Sequence, residues 1–188
     1  LALTISMLLK TNLLSLTHIE DLHTVFQKTH DELLEILDAS EQVVSIEGSE
    51  TAILALPKDP SKHTVAYYTL AGRPMIRLNA ERKQAEVIDQ QCKAIGWYIK
   101  DCPFKPFYTQ QLSLQKGDSL FLFSDGLTDQ FNQQNQKIGK KRMLEWFQLA
   151  LQKDSSLDPQ FHSIFTQWNT WKQQQQQTDD VVVIGIQV

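Results

Sequence analysis

The 188 residues are enough for one domain with a hydrophobic core, and the apolar share of 41% is ordinary for a soluble globular protein. A formal net charge of −4 argues against a nucleic-acid-binding surface. The apolar start, residues 1–9, is interrupted by Lys10 and is too short to span a bilayer, so no membrane contact is expected from this segment.

The first elements in chain order are two predicted helices. An apolar stripe that includes Ile5 and Leu9 predicts a helix over 1–16. The sequence Thr17–Glu20 has the form of a capping box, which predicts a second helix over 19–38. We expect the two helices to pack antiparallel on one sheet.

Short runs of β-forming residues follow, separated by turn residues. The predicted strands are 43–46, 51–56, 63–70, 75–78, 85–88 and 107–114. Lys58–Lys62 has the composition of a turn, and the strands between 75 and 88 are expected to form a hairpin. Cys92 and Cys102 in this region could pair, but two cysteines are also typical of free thiols in a reducing cytoplasm, which is the predicted location.

The last third of the chain places helices between two apolar strands. Leu120–Phe123 predicts a strand that is buried on both faces, and Val181–Ile184 predicts a second strand. Between them we predict helices over 138–152 and from Asp158-Pro159 onward, where the aspartate has the chemistry of an N-cap. The run Gln173–Gln177 is interpreted as a solvated linker.

Carboxylates stand where these two apolar strands meet their loops. The first strand runs into Asp125-Gly126 and the second runs out of Asp179-Asp180. If the strands are antiparallel neighbours, Asp125 and Asp179 lie at one edge of the sheet, on strands about 4.8 Å apart. Two carboxylates so close repel unless a cation lies between them, and oxygen ligands suit Mg²⁺ or Mn²⁺. The sequence therefore predicts a divalent-metal site with ligands Asp125 and Asp179, supported by Gly126 and Asp180.

Simpler structural roles exist for these and neighbouring polar residues. Aspartate is common in turns, so either predicted ligand alone would be an ordinary strand-end residue. Asp180 is an alternative ligand or a capping residue, and Asp129 is expected to support the turn rather than bind metal. His23 and His30 could bind a metal, but surface or half-buried positions on a helix are the simpler interpretation.

The same segments resemble a known family. Gly117–Gly126 resembles the aspartate-glycine strand of metal-dependent type 2C (PPM) serine/threonine protein phosphatases, and Gln177–Gly185 resembles their closing motif. The bacterial SpoIIE/RsbU-like branch fits best. Shorter matches lie at Thr51–Leu54, Ala71–Pro74, Ala94–Gly96 and Ile138–Leu144.

The resemblance implies an α+β fold, the α-β-β-α layered sandwich of the type 2C phosphatases, truncated at its N-terminus. Residues 1–188 would form the C-terminal three quarters of a single SpoIIE-like phosphatase domain in a longer protein. The family's aspartate-x-x-glycine-histidine-glycine metal motif would then precede residue 1. Glu50 and Arg73 depart from common family choices, but neither position is a metal ligand in the family.

The resemblance also implies a function. In the family, two Mg²⁺ or Mn²⁺ ions activate a bridging water that attacks the phosphorus of a phosphoserine or phosphothreonine. The implied partner is a phosphorylated protein substrate, such as an anti-sigma-factor antagonist in bacterial partner-switching signalling. Residues 1–188 alone are expected to be nearly inactive, and the alternative is a degenerate, non-catalytic phosphatase-like binding module.

Overall fold

The structure, a computed structural model, describes residues 2–37, 45–46, 48–59, 61, 64–89, 92–100 and 102–188. Its helices are α1 (Ala2–Leu14), α2 (Leu22–Ile36), α3 (Gly126–Asp129), α4 (Gly139–Lys153) and α5 (Leu157–Lys172). Its strands are β1 (Ser45–Ile46), β2 (Thr51–Ala55), β3 (Val65–Ala71), β4 (Met75–Asn79), β5 (Gln84–Ile88), β6 (Tyr98–Ile99), β7 (Gln110–Ser113), β8 (Ser119–Phe123) and β9 (Val183–Gln187).

The chain folds into two compact units. Unit 1 comprises Leu1–Arg73 and Asp89–Ser113, and unit 2 comprises Pro74–Ile88 and Leu114–Val188. Both predicted metal ligands belong to unit 2. The assignment of all 188 residues to a single domain stays a prediction.

In unit 1, two helices pack on each other and one of them, α2, packs on a small antiparallel sheet. The strand order is β2-β3-β7, with β1 and β6 paired separately. α1 packs on α2, where the Asn12 amide donates hydrogen bonds to Thr29 Oγ1 (3.2 Å) and Glu32 Oε2 (3.0 Å). Leu9 of α1 packs against an apolar cluster that contains Phe26 of α2 and Ala71, the last residue of β3, and α2 contacts β3 directly. The packing of the two helices on each other is confirmed, whereas their antiparallel arrangement and the packing of α1 on the sheet stay predictions.

In unit 2, two helices pack on a four-stranded antiparallel sheet of order β5-β4-β8-β9. α4 packs on β4 and β5, and α5 packs on β9 and on α4. The fully buried Phe121 of β8 lies with its ring 5.0 Å from that of Phe147 in α4 and 5.3 Å from that of Phe161 in α5. β8 is buried at every position except Leu122, which is partly exposed, so the predicted buried strand is confirmed.

Two predicted helix starts are wrong. The chain forms a 3-10 turn at Ile19–Asp21, where the Asp21 N–H donates to the His18 carbonyl at 3.1 Å, and α2 begins only at Leu22. Glu20 therefore lies inside this turn, so the capping box does not form. α5 begins after Ser156 rather than at Asp158, because the Asp154 carboxylate accepts the Ser156 N–H at 2.8 Å and holds that residue extended.

Other boundaries differ by a few residues. The predicted strand over 107–114 is formed only at β7, while the two-residue strand β6 was missed because so short a run has no periodicity. Residues 1, 38, 43–44, 60 and 62–63 of the predicted elements lie outside the described residues. No helix in the described ranges is both long and apolar enough to cross a bilayer.

The two residues that depart from the resembled motifs contact each other. Arg73 forms an ion pair with Glu50, next to the point where Thr51 of β2 pairs with Ala71 of β3. A Cβ on the intervening Gly72 would lie 2.8 Å from Glu50 Cγ, so this pairing also requires glycine at the turn. The two residues that differ from the family motifs are therefore charge partners of each other.

Candidate metal centre at the β8–β9 edge

The candidate site lies where β8 ends and β9 begins. The two strands are antiparallel neighbours, with Phe123 opposite Val183, as the metal-site prediction requires. The pairing continues past the strands, because the Ser124 N–H donates to the Val182 carbonyl at 2.9 Å. The Ser124 hydroxyl donates to the Asp180 carbonyl at 2.7 Å and accepts the Val182 N–H at 2.9 Å. Ser124 thus ties the end of β8 to the residues just before β9.

Gly126 lies against the main chain of the second carboxylate pair. A Cβ added there would be 2.4 Å from the Asp180 carbonyl oxygen and 3.1 Å from the Asp179 carbonyl oxygen. Real Cβ atoms do not approach backbone atoms so closely, so this contact requires glycine. The backbone that follows Asp125 therefore passes directly beside Asp179 and Asp180. That the two carboxylates are close enough to share ions stays a prediction.

The backbone holds Asp125 and Asp179 in defined conformations. Asp125 is partly exposed at the start of α3, and its carbonyl accepts the N–H groups of Thr128 and Asp129, both at 2.8 Å. Asp179 is exposed, and its Oδ1 accepts the Asp180 N–H at 2.7 Å. Both carboxylates therefore stand at an edge that solvent and ions can reach.

Gln130 fixes the segment that leads into Asp179, and sequence reasoning missed it. Its side chain is buried; the amide nitrogen donates to the Gln176 carbonyl at 3.0 Å and the amide oxygen accepts the Thr178 N–H at 3.1 Å. Gln177 in turn donates through its side chain to the Asp179 carbonyl at 2.8 Å. The glutamine run is thus hydrogen-bonded to the site rather than being only a solvated linker. No sequence signal separates Gln130 from the other glutamines of this loop.

Asp118 is a buried carboxylate that accepts several hydrogen bonds. It is fully buried, and its Oδ2 accepts hydrogen bonds from Arg77 Nη2 at 2.6 Å and Nε at 3.1 Å. Oδ2 also accepts the Gln115 N–H at 3.1 Å, and Oδ1 accepts the Ala80 N–H at 2.9 Å. One side chain thus ties together the turns before β8 and after β4. The Gly117-Asp118 motif was its available sequence signal, without indicating this role.

The remaining candidates have structural partners. Asp129 pairs with Lys137 at 2.9 Å and accepts the Thr128 hydroxyl at 3.0 Å, consistent with its expected turn-supporting role. In unit 1, His30 is buried and its Nδ1 accepts the Gly96 N–H at 2.9 Å, while burial lowers the pKa of the ring. His23 Nδ1 lies 3.0 Å from the Thr109 hydroxyl.

Oxygen donors at this edge fit Mg²⁺ or Mn²⁺, which prefer carboxylate ligands. Within the described residues, no cluster of three or more histidine, cysteine, aspartate or glutamate side chains could hold a metal ion. Asp125 and Asp179 therefore stay the predicted donors of a partial metal site at this edge.

The sequence profile of the stage II sporulation protein E (SpoIIE) family matches residues 2–188. No curated protein sequence matches the chain. The solved SiaA-PP2C domain of Pseudomonas aeruginosa is similar, with a TM-score of 0.67 and 13% identity over 88% of this chain and 60% of that one.

Two further solved structures share the fold. The RsbU and RsbW domains of a Mycobacterium tuberculosis protein give a TM-score of 0.63 and 13% identity, over 97% of this chain and 45% of that one. The phosphatase domain of the Bacillus subtilis cell fate determinant SpoIIE, presoaked with Mn, gives 0.54 and 14% identity, over 98% and 73%. These likenesses confirm the predicted fold class, mixed α and β with antiparallel sheets.

Proposed function

Because the chain belongs to the SpoIIE family of PP2C-type phosphatases, we propose that it forms part of a metal-dependent site that hydrolyses phosphoserine or phosphothreonine in a protein. The observation that supports this most directly is the approach of Gly126 to the Asp179–Asp180 backbone. Glycine at this point lets the backbone after Asp125 pass beside that of Asp179 and Asp180, which would bring the two carboxylates to one edge of the sheet.

Asp125 and Asp179 are the proposed ligands of Mg²⁺ or Mn²⁺, with two ions in the intact domain. Gly126 supports them by allowing the close approach, and Asp180 supports them through its N–H, which holds Asp179 Oδ1 at 2.7 Å. The chemistry that such ions supply is a lowered pKa of bound water and neutralisation of phosphoryl charge. The role proposed for the residues of this chain is to hold the ions and orient their ligands. Gln130 contributes by keeping the segment before Asp179 in place.

The proposed substrate is a small phosphorylated regulatory protein, such as an anti-sigma-factor antagonist in cytoplasmic partner switching. One structure of the same fold contains RsbU and RsbW domains, and another is the phosphatase domain of a cell fate determinant. By analogy with these proteins, we propose a regulatory substrate for this chain. The chain spans 60% and 45% of the first two solved structures, so the activity of the whole protein belongs to the same proposal.

The test is a phosphatase assay on a phosphoserine peptide, with and without Mn²⁺, using the intact protein that contains these residues. Asp125→Asn should lower Mn²⁺-dependent turnover by about a hundredfold or more, because even residues that only support a ligand cost 10- to 100-fold when changed. Asp129→Asn is the matched control, since Asp129 is paired with Lys137 and should retain turnover. Equal losses in the two variants would contradict the ligand assignment.

A second arm separates the enzyme from the alternative, a non-catalytic binding module. Two carboxylates alone leave an ion with most of its waters and hold it weakly. We therefore expect residues 1–188 by themselves to fold, bind Mn²⁺ poorly and hydrolyse little. An intact protein that binds phosphopeptide but shows no Mn²⁺-dependent turnover would favour the binding module. Robust turnover by residues 1–188 would show that the metal site lies elsewhere.

A further inference from the structure

A basic segment of six residues, 137–142, spans the start of α4. Lys137, Lys140, Lys141 and Arg142 lie between residues 137 and 142, so four of the chain's 18 lysines and arginines fall in six positions without an acidic residue. The chain as a whole carries a net charge of −4, so this concentration runs against the overall balance. The three lysines are exposed and Arg142 is partly exposed.

The basic segment is held beside the candidate metal centre. The Ile138 N–H donates to the Gln130 carbonyl at 3.1 Å, and Lys137 Nζ lies 2.9 Å from Asp129 Oδ2. The Gln130 side chain is the one that accepts the Thr178 N–H, directly before Asp179. The start of α4 is therefore connected through a single buried residue to the segment that carries a proposed ligand.

These cations stand where they do not help the helix. Lys140, Lys141 and Arg142 occupy the first turn of α4, which contains no acidic residue. The helix dipole favours negative charge at this end and positive charge at the other. Within the described residues, none of the three side chains pairs with a carboxylate. The placement of Lys140 and Lys141 is thus unfavourable for the helix, and a partner that supplies negative charge would explain it.

Arg142 is also oriented in advance. Its guanidinium carbon lies 3.7 Å from the centroid of the Trp171 ring, a cation–π contact that limits the motion of the side chain. A planar guanidinium held in this way keeps N–H donors that match a carboxylate in bidentate geometry, and it loses less entropy on binding than a mobile one.

We infer that the basic segment docks acidic residues flanking the phosphorylated residue of the substrate protein. This inference rests on the proposed function, since it assigns a second contact to the same substrate. A phosphoprotein whose phosphoryl group reaches the β8–β9 edge would bring its neighbouring carboxylates to the first turn of α4. The segment therefore selects phosphorylation sites in acidic sequence.

The experiment compares two phosphopeptides with the same phosphoserine, one flanked by aspartate and glutamate and the other by asparagine and glutamine. Fluorescence anisotropy measures their affinity for the intact protein and for the variant Lys140→Glu/Lys141→Glu. We expect the wild type to prefer the acidic peptide about tenfold, as two or three exposed ion pairs allow, and the variant to lose that preference. The variant should also melt at a higher temperature, because glutamate suits the helix N-terminus.

Two further variants sharpen the comparison. Arg142→Met keeps an unbranched side chain against the Trp171 ring but removes the charge, and should lower the preference. Lys153→Glu makes the same charge change at the opposite end of α4, where a lysine suits the dipole. It should keep the full preference for the acidic peptide and melt at a lower temperature.

The outcomes separate the docking surface from the proposed function. Loss of the preference in the 140/141 variant and its retention in Lys153→Glu support docking, whether or not Mn²⁺-dependent hydrolysis is found. Hydrolysis with equal binding of the two peptides would overturn docking and leave the phosphatase proposal standing. Equal binding of the two peptides, together with binding of the wild-type protein to phosphatidylglycerol vesicles, would overturn peptide docking in favour of a lipid surface.

Discussion

A methyl group added at Gly126 tests the backbone approach on which the candidate metal centre depends. The new Cβ would lie 2.4 Å from the Asp180 carbonyl oxygen, 2.8 Å from its carbonyl carbon and 3.1 Å from the Asp179 carbonyl oxygen. All three are main-chain atoms, so no side chain can rotate away and the segment has to move. We expect Gly126→Ala to lower the free energy of unfolding by about 1–3 kcal/mol, the usual cost of overpacking.

An opposing effect makes the sign of this change informative. The backbone at Gly126 is not left-handed, since it begins the short helix α3, so alanine would adopt it without strain. Stiffening of the unfolded chain would by itself raise the stability by about 0.4–1 kcal/mol. A net loss of stability therefore requires a steric conflict larger than this gain.

In the intact protein, urea unfolding measures the change in stability and calorimetric titration measures the change in Mn²⁺ affinity. Gly126→Ala should lose stability and Mn²⁺ affinity together, because the displaced segment carries Asp179. Gly139→Ala is the control: its Cβ would meet nothing within 4 Å, while its φ of +69° makes alanine strained. Gly139→Ala should lower the free energy of unfolding by about 1–2 kcal/mol without changing Mn²⁺ affinity. A Gly126→Ala protein as stable as the wild type, with unchanged Mn²⁺ affinity, would refute the reasoning.

The remaining predictions concern groups away from the proposed ligands. Asp118→Asn should lower the free energy of unfolding by about 3 kcal/mol, because it removes the closest charge partner of the mostly buried Arg77. Asp129→Asn, at a partly exposed ion pair with Lys137, should lower it by less than about 1 kcal/mol. Equal losses in urea unfolding would contradict the role of Asp118. Phe26→Ala should cost about 3–5 kcal/mol because the ring is fully buried, and a loss under about 0.5 kcal/mol would mean that the helix face was assigned wrongly. Burial lowers the pKa of His30, so the folded protein keeps the ring neutral while the unfolded chain, with a pKa of about 6.5, takes up a proton. Its contribution to stability should be complete above about pH 6.5 and decline as the pH falls toward the lowered pKa; His30→Asn should flatten this decline in thermal melts.

The sequence by itself determined the elements whose signal is local. The continuous apolar run of β8 could be read as a buried strand because a central strand needs no polar face. The glycine after Asp125 and the aspartates before β9 were also visible in the sequence, because they stand directly next to apolar runs. The match of these motifs to one family followed from their order along the chain and needed no structure.

Tertiary structure decided the partners of the polar residues. Asp118 accepts hydrogen bonds from Arg77 in β4, and Gln130 binds the segment before Asp179, contacts that join residues distant in sequence. Glu50 and Arg73, read separately as departures from the family motifs, form one ion pair in the folded chain. Hydrogen-bonding side chains look alike in sequence because their role depends on which backbone group the fold brings to them.

The candidate metal centre combines both kinds of information. The carboxylates could be named from the ends of two apolar runs, but their shared edge depended on the antiparallel pairing of β8 with β9. The pairing register depends on contacts between strands, so the sequence of one strand alone does not specify which strand it pairs with. The need for glycine at position 126 has the same origin. The atom that excludes a Cβ there belongs to Asp180, and α4 and α5 separate the two residues in the sequence.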